Sequence, residues 1–309
     1  MKAPLTEVDI KSLLSCTQHF MDHVYWVQES FNLKPDAKQH FGTCINYIDL
    51  QEVRDDFCKE LVNTVPEWVY SQKKAATIMD RFIQEGRSQM NASAALTELA
   101  NSKFRTRDSR NIFLQGQFGE LLLFNFLQSF YQAVPLLRKM PITTAPSMER
   151  NGADAIHYSS KSKQHLFFLG EGKTYTSKYQ FSTAFSDALT SIINTYSNHR
   201  KEIDLYMYDG FIDDALIDIA QAYKTGKLPN VEVHLVTIIV YNETNKITRS
   251  NEAQIKNDIM QVIRQRTSAL DAKIFASVDP GLIPRFNYII LPVWELDDLI
   301  QVFQRRLGL

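Results

Sequence analysis

The spacing of hydrophobic residues changes partway along the chain and divides the sequence into two parts. In the first part, apolar residues recur at intervals of three and four, as in residues 50–62, which is the spacing of one helix face. A strongly apolar helix over residues 111–131 then precedes short β-branched and aromatic runs separated by polar loops. We therefore predict a mostly helical N-terminal region over residues 1–103 and an α/β domain over residues 104–309.

The second part alternates strands with helices. Residues 231–241 (VEVHLVTIIVY) form the clearest predicted strand, because the run is continuous, apolar and β-branched, as the interior of a sheet requires. Further strands are predicted over residues 136–142, 153–158, 165–171 and 286–293, and helices over residues 181–199, 213–224, 251–270 and 294–307. This order predicts an α/β fold in which a mixed sheet lies between helices.

Composition narrows the class of protein. With 309 residues, 44% of them hydrophobic, the chain is long enough to bury a large core. Its three cysteines all lie in the first fifth of the chain without a CxxC pair, so neither a disulfide framework nor a closed zinc site is expected. The N-terminus lacks an apolar signal core, and every apolar run is shorter than the roughly 20 residues of a membrane span. We expect a cytoplasmic protein without a membrane segment.

The charge balance limits how the protein could contact nucleic acid. The formal net charge is −1, so any such contact must come from a local basic patch. Residues 136–180 have a basic excess, with seven basic residues against three acidic ones. The basic residues are Arg138, Lys139, Arg150, Lys161, Lys163, Lys173 and Lys178, and the acidic ones are Glu149, Asp154 and Glu171. This excess fits a nucleic-acid surface, and it fits an ordinary solvated face equally well.

Three acidic residues and a lysine form the candidate catalytic group. In the segment LGEGK, strand alternation places Glu171 and Lys173 on one face, with glycines on the other. Asp154 lies on the preceding predicted strand, so a hairpin would bring it to Glu171. Glu120 lies in an apolar stretch of the helix before these strands, where a buried carboxylate is costly unless a cation balances it.

This residue set suits a particular metal chemistry. Mg²⁺ takes one or two carboxylates and keeps open positions for water and substrate phosphate. Such an ion polarises a phosphoryl oxygen and acidifies a bound water, while Lys173 would orient or deprotonate that water and stabilise charge on the phosphate.

Each residue also has a simpler interpretation. Glu171 and Lys173 alone would make an ordinary ion pair, and Asp154 would only close a turn after Asn151 and Gly152. Glu120 would pair with a nearby basic residue, either Arg110 or Lys139. It is the order of the four residues, helix glutamate, strand aspartate and then ExK, that favours a joint site.

Two other catalytic classes receive no support. The segment GEGKT imitates the end of a phosphate-binding loop, but the glycine that such a loop needs five residues before Gly172 is Phe167. A GxSxG nucleophile motif is also absent from the sequence.

The stretch over residues 115–174 resembles the HamA nuclease family of the Hachiman anti-phage defence systems, which belongs to the PD-(D/E)xK superfamily. The segments that carry the resemblance are GQFGE ending at Glu120, GAD ending at Asp154, and GEGKT around Lys173. The resemblance implies a restriction-endonuclease-like mixed sheet flanked by helices. It also implies that Asp154 and Glu171 bind metal, that Lys173 is the catalytic lysine and that Glu120 is the helix glutamate of the metal site. Ala153 stands where the superfamily usually has proline.

The function implied by the resemblance is a metal-dependent deoxyribonuclease that hydrolyses DNA phosphodiester bonds. Mg²⁺ would be the cofactor, with Mn²⁺ as a substitute, and a helicase-like partner, HamB, would control the activity. Two alternatives remain open. The chain could instead be a non-catalytic interaction subunit whose acids are structural, or a metal-dependent phosphodiesterase that acts on RNA or a nucleotide.

Overall fold

Nine strands are present in the part of the chain that the computed structural model describes, which is residues 7–104, 112–138, 153–177, 181–206, 212–248 and 250–309. They are β1 (Val24–Glu29), β2 (His40–Ile45), β3 (Tyr47–Ile48), β4 (Gln51–Glu52), β5 (Val134–Leu137), β6 (Ala155–Lys161), β7 (Gln164–Tyr175), β8 (Val231–Glu243) and β9 (Phe286–Trp294). Seven of them form one sheet in the order β1-β2-β9-β8-β7-β6-β5, while β3 and β4 form a separate two-stranded ribbon.

The seven-stranded sheet is mixed. Strands β2, β9, β8 and β7 are parallel to their neighbours in that order, and β1, β6 and β5 are added antiparallel at the two sides. The parallel strands are buried on both faces, which explains why β8 and β9 are continuous apolar runs. The predicted α/β class with a mixed sheet is confirmed.

Helices cover both faces of the sheet. Their bounds are α1 (Glu7–Leu13), α2 (Gln18–Met21), α3 (Arg54–Asn63), α4 (Val65–Val69), α5 (Gln72–Gln84), α6 (Gln89–Asn101), α7 (Ile112–Tyr131), α8 (Phe181–Tyr206), α9 (Ile217–Lys224), α10 (Glu252–Ser268) and α11 (Leu296–Leu307). Alternate residues of β8 enter two different cores. Val236 and Ile238 pack with α3, α7 and α11, whereas Leu235 and Ile239 pack with α8, α9 and α10. None of the helices in the described residues is both long and apolar enough to cross a membrane.

The described part of the N-terminal region contains four strands, β1 to β4, that the sequence pattern did not predict. β1 and β2 lie within residues 1–103, but they extend the sheet of the second part through the parallel pairing of β2 with β9. The prediction of a mostly helical region over residues 1–103 did not include these strands, although helices α1 to α6 do lie there. All six residues of β2 are buried, the polar ones included. The segment therefore lacks the alternation of polar and apolar residues that marks a half-buried strand.

Most strands and helices predicted in the second part are present with shifted ends. The strand predicted over residues 136–142 is β5, which is four residues long and starts earlier, and residues 139–142 lie outside the described residues. The strand predicted over 165–171 continues to Tyr175, and the helix predicted over 181–199 continues to Tyr206.

Candidate functional site

The β6–β7 hairpin brings Asp154 next to Glu171, as the sequence predicted. The strands pair antiparallel with Ala155 opposite Gly170, and the Asp154 backbone N–H donates to the Gly170 carbonyl at 3.0 Å. The Asp154 carboxylate also accepts a hydrogen bond from the Gly172 backbone N–H at 2.8 Å. This side chain therefore bonds across the hairpin, to the strand that carries Glu171 and Lys173.

Glu171 and Lys173 project from the same face of β7 and form an ion pair. The Lys173 ammonium lies 3.0 Å from Glu171 Oε1. The Glu171 side chain is only 5% exposed, whereas that of Lys173 is 26% exposed. The simple ion-pair interpretation thus describes a real contact, and the lysine is the member of the pair that reaches solvent.

Helix α8 supplies contacts that the sequence analysis missed. Ser191 Oγ donates to Glu171 Oε1 at 2.6 Å, and Thr195 Oγ1 donates to Glu171 Oε2 at 3.3 Å. One turn before Ser191, Asp187 accepts a hydrogen bond from the Tyr175 hydroxyl. Asp187, Ser191 and Thr195 are spaced four residues apart, so they form a polar stripe on one face of α8. That spacing was visible in the sequence and would have been the signal for them.

Two glycines bring α7 against β7 beside Glu120. A Cβ atom placed on Gly172 would lie 3.1 Å from the Gly119 carbonyl carbon and 3.3 Å from the Glu120 backbone nitrogen. A Cβ atom on Gly119 would lie 2.5 Å from Thr174 Oγ1. Side chains at either position would hold the helix away from the strand. The absence of side chains at Gly119 and Gly172 therefore sets the approach of Glu120 to the sheet.

Gly119→Ala is expected to destabilise the protein, whereas Gly116→Ala on the same helix is expected to stabilise it. The new methyl group at position 119 would overlap Thr174, a short β-branched residue with few rotamers, at an overpacking cost of about 1–3 kcal/mol. At position 116 nothing lies within 4 Å, so the helix preference of alanine remains, about 0.5–1 kcal/mol. Urea unfolding of both variants measures the difference, and equal stability of the two would contradict the close contact.

The charges of Asp154, Glu171, Lys173 and Glu120 act on one another. Burial raises the pKa of Asp154 well above its ordinary value, and the nearby Glu171 and Glu120 carboxylates raise it further. Burial lowers the pKa of Lys173, but Glu171 and Asp154 outweigh that effect and hold it above its ordinary value. Glu120, on the α7 side of β7, is thus close enough to act on Asp154. Within the described residues, no three His, Cys, Asp or Glu side chains are gathered into a ready-made metal site.

Asp154→Asn is expected to stabilise the metal-free protein by about 1 kcal/mol at neutral pH. The asparagine keeps an oxygen that can accept from Gly172 and removes a carboxylate that lies beside two others. Because the pKa of Asp154 is raised on folding, its contribution to stability is present at low pH and lost as the pH rises through that pKa. The gain from the substitution should therefore grow from about pH 4 to pH 8.

Thermal unfolding in chelator across this pH range measures the gain for Asp154→Asn. Asp80→Asn, at an exposed position on α5, is the matched control and should show little change at any pH. A lower melting temperature for Asp154→Asn at pH 8 would show that the repulsion is not significant.

The basic residues of the segment 136–180, which fit a nucleic-acid patch and a solvated face equally well, do not form one surface where the structure describes them. Arg138 is buried and paired with Asp213, so it belongs to neither kind of surface. Lys161 lies at the turn of the β6–β7 hairpin, about 23 Å from Asp154 along the strand, and Lys163 lies in the same turn. Lys139, Arg150, Lys178 and Glu149 lie outside the described residues, as does Arg110.

Comparison with known proteins identifies the family. The family model named HamA matches residues 20–307, which includes the whole candidate site. No curated protein matches the chain at a significant level. The family match covers nearly the full length and agrees with the resemblance seen in the motifs around Glu120, Asp154 and Lys173. The chain therefore belongs to the HamA family and is a component of a Hachiman defence system.

Proposed function

We propose that this protein is a metal-dependent deoxyribonuclease that hydrolyses DNA phosphodiester bonds. The observation that carries the proposal is the joining of Asp154, Glu171 and Lys173 on one hairpin, with Glu120 close enough to alter the pKa of Asp154. Sequence order alone did not require these four side chains to interact.

The donor set fits a hard divalent cation. The three acids offer oxygen ligands only, which is the preference of Mg²⁺ and of its substitute Mn²⁺. When all are ionised, these four side chains carry three negative charges and one positive charge, and a divalent cation among them would balance the difference. Asp154 and Glu171 would hold the ion, with Glu120 as the third acid. The ion would supply Lewis-acid polarisation of the phosphate and a more acidic bound water.

Lys173 is the residue of this group that would meet the substrate. Its ammonium is partly exposed, whereas its partner Glu171 is buried and held from behind by α8. An ammonium in this position donates hydrogen bonds to a phosphate oxygen and stabilises the negative charge that develops there. Glu171 would keep the ammonium oriented before the substrate arrives.

Membership of the HamA family supports the proposed setting of this activity. In that setting the nuclease acts on DNA under the control of a helicase-like, HamB-like partner, so that cleavage is restrained until the complex engages its target. Purified protein alone would then cleave DNA without restraint, whereas the complex with its partner would cleave only after it engages its target.

The test is cleavage of linear, plasmid and single-stranded DNA and of RNA, with Mg²⁺, with Mn²⁺ and with chelator. The protein is assayed alone and after co-production with the helicase-like partner, beside Asp154→Asn as the folded variant without the metal-binding carboxylate. Metal-dependent DNA cleavage that Asp154→Asn lacks is the expected result. Cleavage restricted to RNA would assign the site to a different phosphodiesterase.

The alternative of a non-catalytic subunit also has an observation in its favour, because Glu171 has hydrogen-bond partners within the fold. On that interpretation, Glu171→Gln changes stability only, and the complete complex leaves every nucleic acid intact. Such a result would overturn the proposed nuclease.

A further inference from the structure

Two hydroxyl groups of α8 approach Glu171 from behind, one for each carboxylate oxygen. Ser191 donates to Oε1 and Thr195 to Oε2, and Lys173 also lies at Oε1. Glu171 is 4% exposed, so these groups largely determine how its carboxylate is oriented. Neither hydroxyl was among the site residues predicted from the sequence.

The spacing of helix and strand explains how these contacts form together. Residues two apart on a strand are about 6.6 Å apart, and residues four apart on a helix are about 6 Å apart. A helix that runs along a strand can therefore meet alternate strand residues with every fourth helix residue. α8 does this along the polar end of β7, where Glu171 meets Ser191 and Thr195 and Tyr175 meets Asp187.

We propose that Ser191 and Thr195 are positioning residues that hold Glu171 in the orientation needed to bind the metal ion. The inference rests on the proposed metal-dependent function. A carboxylate has about four acceptor positions, and Lys173 and the two hydroxyls use three of them, which leaves a position on Oε2 for a cation. Hydroxyl groups are neutral, so they fix the carboxylate without repelling an incoming cation. A second ammonium in their place would repel it. Outer partners of this kind orient ligands and raise metal affinity.

A purely structural role makes a different prediction. Buried carboxylates need hydrogen-bond donors in any case, and loss of a donor then lowers stability alone. A positioning role requires that loss of the hydroxyls weakens metal binding, which can be measured without any cleavage. A positioning role also has a kinetic signature. The metal concentration that gives half-maximal cleavage should rise by a larger factor than the factor by which the rate at saturating metal falls.

The experiment compares Ser191→Ala, Thr195→Val and the double variant with controls on the same helix. Ser197→Ala and Thr190→Val are matched controls, because these exposed hydroxyls donate to carbonyls of their own helix, Ile193 and Ser186. Thr195→Ser retains a hydroxyl and is the conservative variant. Titration calorimetry with Mn²⁺ on the full chain gives the affinity, and thermal unfolding in chelator confirms that each variant is folded.

The double variant is expected to bind Mn²⁺ about 10- to 100-fold more weakly than the wild type. Each control and Thr195→Ser should stay near the wild-type affinity. Wild-type affinity in the folded Ser191→Ala and Thr195→Val proteins would overturn the positioning role and leave the proposed nuclease intact. If the double variant does not fold, the two single variants decide the question. A wild-type protein that binds no Mn²⁺, alone or with its partner, would overturn the proposed function itself.

Discussion

Lys173→Met is expected to lower the rate of DNA cleavage by about 100- to 1,000-fold while Mn²⁺ affinity stays the same or rises. Methionine has a similar length and keeps the apolar part of the side chain, so the packing around this end of β7 changes little. The substitution removes the ammonium that would stabilise the charge on the phosphate. It also removes a positive charge 3.0 Å from Glu171, which would otherwise repel the metal ion.

A loss of cleavage without a loss of metal affinity would be specific to a catalytic lysine. Cleavage at saturating Mg²⁺ and calorimetry with Mn²⁺ measure the two quantities on the same preparation. Lys161→Met is the matched control, because Lys161 lies on the same hairpin but at its far end. A Lys173→Met protein that cleaves at the wild-type rate would leave Lys173 as a structural partner of Glu171.

The central part of the fold was predictable because its elements have strong local patterns. Strands β8 and β9 are continuous apolar runs, since parallel strands covered on both faces admit few polar residues. The long helices α7 and α8 have regular apolar spacing over five or more turns, so their type was clear although the end of α8 was misplaced.

Strands β1 and β2 were missed because a long-range pairing stabilises them. β2 is six residues long and pairs in parallel with β9, which lies more than two hundred residues further along the chain. Such pairing gives no local sequence signal except composition. The composition of β2 is weakened as a strand signal by a glycine, which packs closely against Phe31. The aromatic and β-branched residues of β1 did carry a strand signal, but its helical surroundings obscured it.

The site was predictable as far as strand alternation and hairpin pairing determine it. Alternation placed Glu171 beside Lys173, and the short connection between the strands made the approach of Asp154 a natural consequence. The approach of α7 through Gly119 and the support of Glu171 by α8 depend on how helices cross the sheet. Those crossings are set by side-chain packing over the whole core, which a single sequence does not display.

Arg138→Met is expected to destabilise the protein by about 3–5 kcal/mol, the largest stability effect among these substitutions. The Arg138 side chain is 4% exposed, and its Nη1 lies 2.8 Å from Asp213 Oδ2. Its Nε also donates to the Glu67 carbonyl at 3.0 Å, so this side chain, which follows β5 directly, links the end of that strand to α4 and to the segment before α9. Methionine would leave the Asp213 carboxylate buried beside an apolar group, and that uncompensated charge is the main cost.

A second substitution separates this cost from the loss of packing. Arg138→Met combined with Asp213→Leu removes both charges, so the double variant should recover much of the stability that the single variant loses. Urea unfolding midpoints measure the recovery, and the salt dependence of DNA binding by the folded variants measures phosphate contacts. A buried arginine that contacts no phosphate leaves this salt dependence unchanged. A stable Arg138→Met protein with weaker, less salt-dependent DNA binding would instead return Arg138 to the nucleic-acid surface that the sequence first suggested.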